Sequence, residues 1–353
     1  MEPFNPSAPL SADFGIFGLP IKRHDAKVIL IPVPWEVTTS YGGGTSRGPD
    51  AIRQASSQLD LFDVELGKTY IAGFYMESIN QKILALNNEL KPFAQRVREE
   101  LEDGVLSDHG AGYQHRVNEG CKEMVEWVYQ GAKRIIRDES KLLGIVGGDH
   151  SSPLGAIKAV AEDLGKDYAI IHIDAHADLR KAYMGFTYSH ASIMYNVMTS
   201  DFAPQKLVQV GIRDLCWEEA DFIQRDDRIR PVFGEDIKRR LYSGETWKAV
   251  CDDILYGLPE YIYLSLDIDG LSPEFCPHTG TPVPGGLHFS EMLFLLNALG
   301  QSGRTIVGFD LCEVAPGPDG DEWDGNVGAR LLYRMCGWSA ITNGLHPKPI
   351  SHG

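Results

Sequence analysis

Long apolar runs are missing from this 353-residue chain. Nothing in it approaches the roughly 18 consecutive apolar residues of a membrane-crossing helix, so no membrane association is expected. A secretory leader is not indicated either, because MEPFNPSAPLSADFGIFGLP has no basic start and no continuous apolar core. Positive charge is scarce: 33 Lys and Arg stand against 49 Asp and Glu, for a net charge of −16. No basic cluster occurs, which argues against nucleic acid as a partner, since a polyanion demands a cationic surface. A negative field would concentrate a cationic small substrate, although an ordinary acidic cytoplasmic protein has the same balance. Cysteine pairs are absent too. Cys121, Cys216, Cys251, Cys276, Cys312 and Cys336 are scattered without a CxxC, which suits reduced, buried thiols in the cytoplasm and not a disulfide framework or structural zinc site. Internal repeats and low-complexity segments are likewise missing.

What is present is an alternation of strand and helix patterns. Residues 1–26, rich in proline and small residues, read as an N-terminal arm that is either loose or laid over a neighbouring subunit. One domain then covers residues 27–353. Apolar strand patterns lie at 27–33, near 71–75, at 142–146 and 168–173, and near 207–211, 231–233, 261–266 and 304–310. Helical patterns fall between them, at about 80–102, about 115–138, near 153–164 and from about Ala191. Over 115–138, Cys121, Met124, Val125, Val128, Ala132, Ile135 and Ile136 recur at spacings of three and four, an amphipathic stripe. Ser152 is the expected N-cap of the 153–164 helix, with Pro153 at its first position. Such alternation predicts a single three-layer α/β/α domain with a central, mostly parallel sheet. Gly42, Gly43, Gly44 and Gly48 force a tight path before a helix opened by Pro49. That loop lacks the lysine of a P-loop and the spacing of a dinucleotide fingerprint, and reads as a structural loop lining a site.

Three acid-and-histidine runs follow apolar strands: Gly147-Gly-Asp-His-Ser151, Asp174-Ala-His-Ala-Asp178 and Asp267-Ile-Asp269. In extended backbone, residues i, i+2 and i+4 point to one side, so Asp174, His176 and Asp178 aim at a common point. Asp267 and Asp269 do the same from another strand, and His150 arrives from the turn after a third. In parallel sheets, sites collect at the carboxyl ends of strands, where all six groups fall. Four aspartates carry about −4, which two divalent cations would balance; without them the carboxylates would repel one another. Six ligands, with Asp174 and Asp267 bridging, serve two ions about 3.5–4 Å apart. Carboxylate and imidazole without thiolate suit Mn²⁺ best, with Ni²⁺, Co²⁺ or Fe²⁺ as alternatives and zinc less favoured. A single DxD at a strand end is more often a solvated turn; three such clusters in one chain point to metal.

GGDHS, DAHAD and SLDIDGLSPEFCPHTGTPVPGGL resemble the signature motifs of the ureohydrolase family, which includes arginase, agmatinase and guanidinobutyrase. SYGGGTSRGPDAIR and IVGFDLCEVAP extend the resemblance over about residues 27–340, leaving residues 1–26 outside it. The resemblance implies an arginase-like fold and two manganese ions. One would be held by His150, Asp174, Asp178 and Asp267, the other by His176, Asp174, Asp267 and Asp269. It further implies that a water activated between them attacks a guanidinium carbon, giving urea and an amine. His190 corresponds to the family's proton-shuttling histidine, with an ordinary pKa near 6.5 suited to protonating the leaving amine. Glu313 corresponds to the carboxylate that pairs with the substrate guanidinium. Relatives assemble as trimers or hexamers, so a homo-oligomer is expected by analogy.

Substrate choice is less legible. The loop between Asp178 and His190, LRKAYMGFTYS, matches neither the arginase nor the agmatinase pattern. Arg180, Lys181, Tyr183 and Tyr188 are the candidates to read the substrate's far end. A cationic Arg180 at the mouth would disfavour the ammonium of agmatine and favour a carboxylate; the atypical loops also admit free guanidine. His278 would either narrow the mouth or stand exposed, and His172 reads as a packed residue behind Asp174. Two other classes stay in view. A single-zinc deacylase of related fold has a different ligand run, and a metal-binding pseudoenzyme would be expected to lack His190 or Glu313.

Overall fold

The structure, a computed structural model, describes residues 15–346 together with Pro6. Its eight strands are β1 (Val28–Pro32), β2 (Phe74–Met76), β3 (Leu142–Val146), β4 (Tyr168–Ile173), β5 (Lys206–Val210), β6 (Ile229–Val232), β7 (Tyr261–Asp267) and β8 (Thr305–Cys312). They form one sheet in the order β2-β1-β3-β8-β7-β4-β5-β6, and every pairing is parallel. Runs such as Val28-Ile-Leu-Ile31 and Ala169-Ile-Ile171 are apolar at every position because both faces are covered. Val28 and Leu30 enter one core, Ile29 and Ile31 the opposite one.

The helices are α1 (Gly48–Ala55), α2 (Gln81–Glu102), α3 (Asp108–Lys133), α4 (Leu154–Leu164), α5 (Ile193–Met198), α6 (Trp217–Arg225), α7 (Gly234–Tyr242), α8 (Trp247–Leu255), α9 (Phe289–Gln301) and α10 (Trp323–Thr342). Side chains of α1 and α7 to α10 build the first core, those of α2 to α5 the two clusters on the other face. The result is the three-layer α/β/α domain expected from the strand and helix alternation.

Three local expectations differ. Helix α3 begins at Asp108, seven residues before the periodic stripe, because the Ser107 side chain caps it by accepting from the Gly110 N–H at 3.0 Å. Gly110 and Gly112 made that first turn look like a break. Ser152 does not cap α4: its buried hydroxyl has no hydrogen-bond partner, and Pro153 occupies the cap position. Finally, the stretch read as an arm is part of the core from Ile16 onward. Ile16, Phe17 and Leu19 are buried, and the Phe17 ring packs edge-on against Phe74 and Tyr333 at 6.0 and 5.1 Å. Residues 1–14 of that stretch lie outside the described residues, apart from Pro6.

The sheet order brings β3, β8, β7 and β4 side by side. Their carboxyl ends lead into the Gly147–Ser151 turn, Glu313, Asp269 and the Asp174–Asp178 run. Gly148 is required in that first turn, because a Cβ there would lie 1.8 Å from the Trp35 carbonyl oxygen. The same carbonyl accepts the Asp149 N–H at 2.7 Å, which fixes the direction in which His150 emerges.

Candidate metal centre

All six sequence-identified ligands converge. His150 Nδ1 lies 3.0 Å from Asp174 Oδ2, 3.3 Å from Asp267 Oδ2 and 3.5 Å from Asp178 Oδ2. His176 Nδ1 lies 3.1 Å from Asp269 Oδ2 and 3.4 Å from Asp174 Oδ1. Asp174 Oδ2 thus faces His150 and Oδ1 faces His176, dividing the cluster into two neighbouring groups of candidate ligands. All four aspartates are buried. Asp178 reaches inward from a left-handed backbone, φ 54°, and Glu313 does likewise at φ 63°. These uncommon conformations for side-chain-bearing residues are held by the surrounding structure, since the Met194 and Tyr195 N–H groups donate to the Asp178 carbonyl at 3.0 and 3.1 Å.

Electrostatics fit cation binding. Burial, then the charges of Asp174 and Asp267, push Asp178 well above the usual carboxylate range. Burial, then Asp269 and Asp174, do the same to Asp267. Burial also opposes ionisation of Asp174, but His172 and His150 outweigh it and hold that carboxyl well below its ordinary value. A buried set of carboxylates in mutual repulsion, with oxygens and imidazole nitrogens facing one another, is a donor set suited to two hard or borderline divalent ions.

His172 falls within ligand distance of the first group. Its Nδ1 faces the Gln209 amide nitrogen at 3.0 Å, and that nitrogen also donates to the Ala177 carbonyl at 2.6 Å. Nδ1 is therefore the acceptor, and Nε2–H donates to Asp174 Oδ2 at 2.9 Å. His172 orients a ligand and is not one itself. His150 is backed similarly: its Nε2 meets Ser265 Oγ at 2.9 Å, and that hydroxyl donates to buried Asp310 Oδ1 at 3.1 Å. Asp310 lies in the IVGFDLCEVAP run, three residues before Glu313, but was not singled out in the sequence.

A cavity of about 180 Å³ opens above the cluster, lined by His150, His176, Asp178 and Asp267 and also by His190 and Glu313. Glu313 Oε1 accepts the His150 N–H at 3.0 Å, while its buried Oε2 has no partner. Burial, then Asp267 and Asp149, raise its pKa well above the ordinary value. A cation in the cavity would relieve that cost. His190 Nδ1 stands 3.4 Å from Thr38 Oγ1, and its backbone N–H donates to the same oxygen at 3.2 Å. Burial, then the positive charges of His176 and Arg98, lower the His190 pKa to about 3. The imidazole is therefore neutral near pH 7 and must take up a proton before it can deliver one, unlike the half-titrated group expected from its ordinary pKa.

The substrate-loop candidates separate, with Lys181 exposed and outside the cavity lining. Arg180 and Tyr183 line the cavity. Tyr188 instead packs among the apolar residues beneath α3 to α5, because its ring is claimed by those clusters. His278 is held away by Asp324, which accepts its backbone N–H at 3.0 Å and faces its Nδ1 at 2.8 Å. The glycine loop's N–H groups do meet an anion, but an internal one: buried Glu36 accepts from Gly44 at 2.6 Å and Ser46 at 3.2 Å and pairs with Lys91. Glu219 and Asp214, which also line the cavity, carried no recognisable motif, and Thr281 lies within the motif that follows Asp267.

Known proteins are similar to this chain in sequence and fold. An N(1)-aminopropylagmatine ureohydrolase of Thermus thermophilus is 32% identical over 338 residues, 93% of this chain and 95% of that protein. One from Synechocystis is 30% identical over 89% of each chain. Among solved structures, a hypothetical agmatinase from Burkholderia thailandensis superposes with a TM-score of 0.69 at 23% identity, covering 97% of this chain and 94% of its own. Arginase from Medicago truncatula superposes with a TM-score of 0.67 at 22% identity, covering 89% and 88%. The profile of the Arginase family matches residues 26–337, and the chain belongs to that family.

Proposed function

We propose that this protein hydrolyses a guanidino compound, releasing urea and an amine or ammonia, at a centre of two divalent cations. The observation that carries the reading is the shared cavity: two carboxylate-imidazole groups form its floor, with Glu313 Oε2 unpaired and His190 neutral in its wall. Relatives named ureohydrolase, amidinohydrolase and guanidinobutyrase support hydrolysis of C–N bonds in linear amidines.

His150, Asp174, Asp178 and Asp267 would hold one cation, and His176, Asp174, Asp267 and Asp269 the other. Mn²⁺ suits these donors best, with Ni²⁺, Co²⁺ or Fe²⁺ as alternatives. When bound, the cations supply Lewis acidity that makes water nucleophilic near neutral pH. Glu313 Oε2 receives the substrate guanidinium and orients its carbon towards the floor, as Oε1 is anchored by the His150 N–H. As water oxygen adds to that carbon and the C–N bond breaks, His190 takes up a proton at a ring nitrogen. It returns the proton to the departing nitrogen, which leaves as a neutral amine. Scattered free cysteines support a reducing, cytoplasmic location, and family analogy supports a homo-oligomer.

The test is metal titration combined with urea release. Metal-free protein should take up about two Mn²⁺ or Ni²⁺ per chain and release urea from at least one member of a guanidino panel. One tightly held zinc per chain would favour a deacylase, and silence across the panel with both metals would refute hydrolysis.

A further inference from the structure

We infer that Arg180, set beside Glu219 and Tyr183 in the cavity wall, restricts the substrate to compact guanidino compounds without a cationic tail. The inference rests on the hydrolase reading and adds the substrate class. Arg180 is fixed at its backbone, where its N–H donates to the Ala191 carbonyl at 3.1 Å. Its side chain turns back over the cavity, with Nε 3.7 Å from Glu219 Oε2 and the guanidinium carbon 5.1 Å from the centre of the Tyr183 ring. Tyr183 in turn packs edge-on against His190, with ring centres 5.8 Å apart. Arg180, the Tyr183 ring and the His190 imidazole are therefore consecutive neighbours along the cavity wall.

Glu219 has little freedom to serve a substrate ammonium. It is 3% exposed, and its oxygens accept the Leu179 and Cys216 N–H groups at 3.0 and 2.8 Å. Its remaining field is offset by the protein's own guanidinium. A tail carrying an ammonium would meet Arg180 before reaching a free acid, and like charges at close range disfavour binding. Asp214 also lines the cavity, but it is solvent-exposed and water screens it.

The metal-loaded protein would be assayed for kcat/KM with guanidine, methylguanidine, 4-guanidinobutyrate and agmatine, alongside Arg180→Ala and Arg180→Lys. The wild type should favour guanidine or methylguanidine over agmatine by at least about tenfold. Arg180→Ala should raise the agmatine-to-guanidine ratio by about 10–100-fold, chiefly through a lower KM for agmatine, and Arg180→Lys should keep the wild-type preference. A merely structural role would move all substrates together and leave the ratio unchanged, which overturns the inference. A wild-type preference for agmatine overturns it too, as does a selective loss of guanidinobutyrate turnover in Arg180→Ala, which would make Arg180 a carboxylate reader. Urea from any panel member keeps the hydrolase reading whichever way the ratio moves; urea from none removes both.

Discussion

The backbone N–H of His150 donates to Glu313 Oε1 across 3.0 Å, tying the turn after β3 to the end of β8. One oxygen of Glu313 thus holds a metal-ligand turn in place while the other faces the cavity. Glu313→Gln keeps the anchoring acceptor but removes the anion. Its kcat/KM should fall by about 100-fold or more while both metals remain bound. Because burial and the charges of Asp267 and Asp149 disfavour the ionised Glu313, metal-free Glu313→Gln should melt no lower than metal-free wild type. Kinetics, metal analysis and melting curves check the three parts separately.

Asp267→Ala removes an oxygen that faces His150 and a side chain that caps the following turn, where it accepts the Asp269 N–H at 2.8 Å. Activity should disappear and metal content should drop from about two ions per chain to one or fewer. Retention of both ions would show that Asp267 is not shared between them.

His190→Ala should keep both ions, since no ligand distance involves that ring, and should lower kcat by about 100-fold or more. Loss of metal in this variant would reassign His190 as a structural support of the centre.

Glu36 provides a pH test away from the ligands. Burial raises its pKa, but Lys91 and the Ser46 and Gly44 N–H groups outweigh burial and bring it below the ordinary 4.5. Folding therefore gains from the ionised carboxylate above that value, and the gain is lost as pH falls through the lowered one. At pH 7, Glu36→Gln should melt about 2–4 °C below wild type. That gap should shrink towards zero as pH falls through the lowered value, and a gap widening in acid would contradict the assignment.

The centre and the sheet were legible in the sequence for one reason: each ligand run directly follows a buried strand. Strands such as Leu142–Val146 and Tyr168–Ile173 are continuous apolar runs, and the acids begin where they end. What could not be read depends on partners far apart in the chain. Arg180 meets Glu219, Glu36 meets Lys91, and His278 meets Asp324 only after the loops are stacked on the sheet. Local pattern has no term for such pairings, so the same residues read as free charges. Phe17 was hidden likewise, because its cores are Phe74 and Tyr333 at opposite ends of the chain.

Strand β8 is the last to be made, yet it lies between β3 and β7 and is the only strand joining β2-β1-β3 to β7-β4-β5-β6. His150 belongs to the first of these halves, and the five acid and histidine ligands from Asp174 to Asp269 belong to the second. A nascent chain that has not yet delivered residues 305–312 therefore carries the candidate ligands on two ribbons with no strand to hydrogen-bond them into one sheet. Assembly of the centre becomes a late, non-local event in folding, and full metal uptake during refolding marks the moment at which the two halves are sewn together.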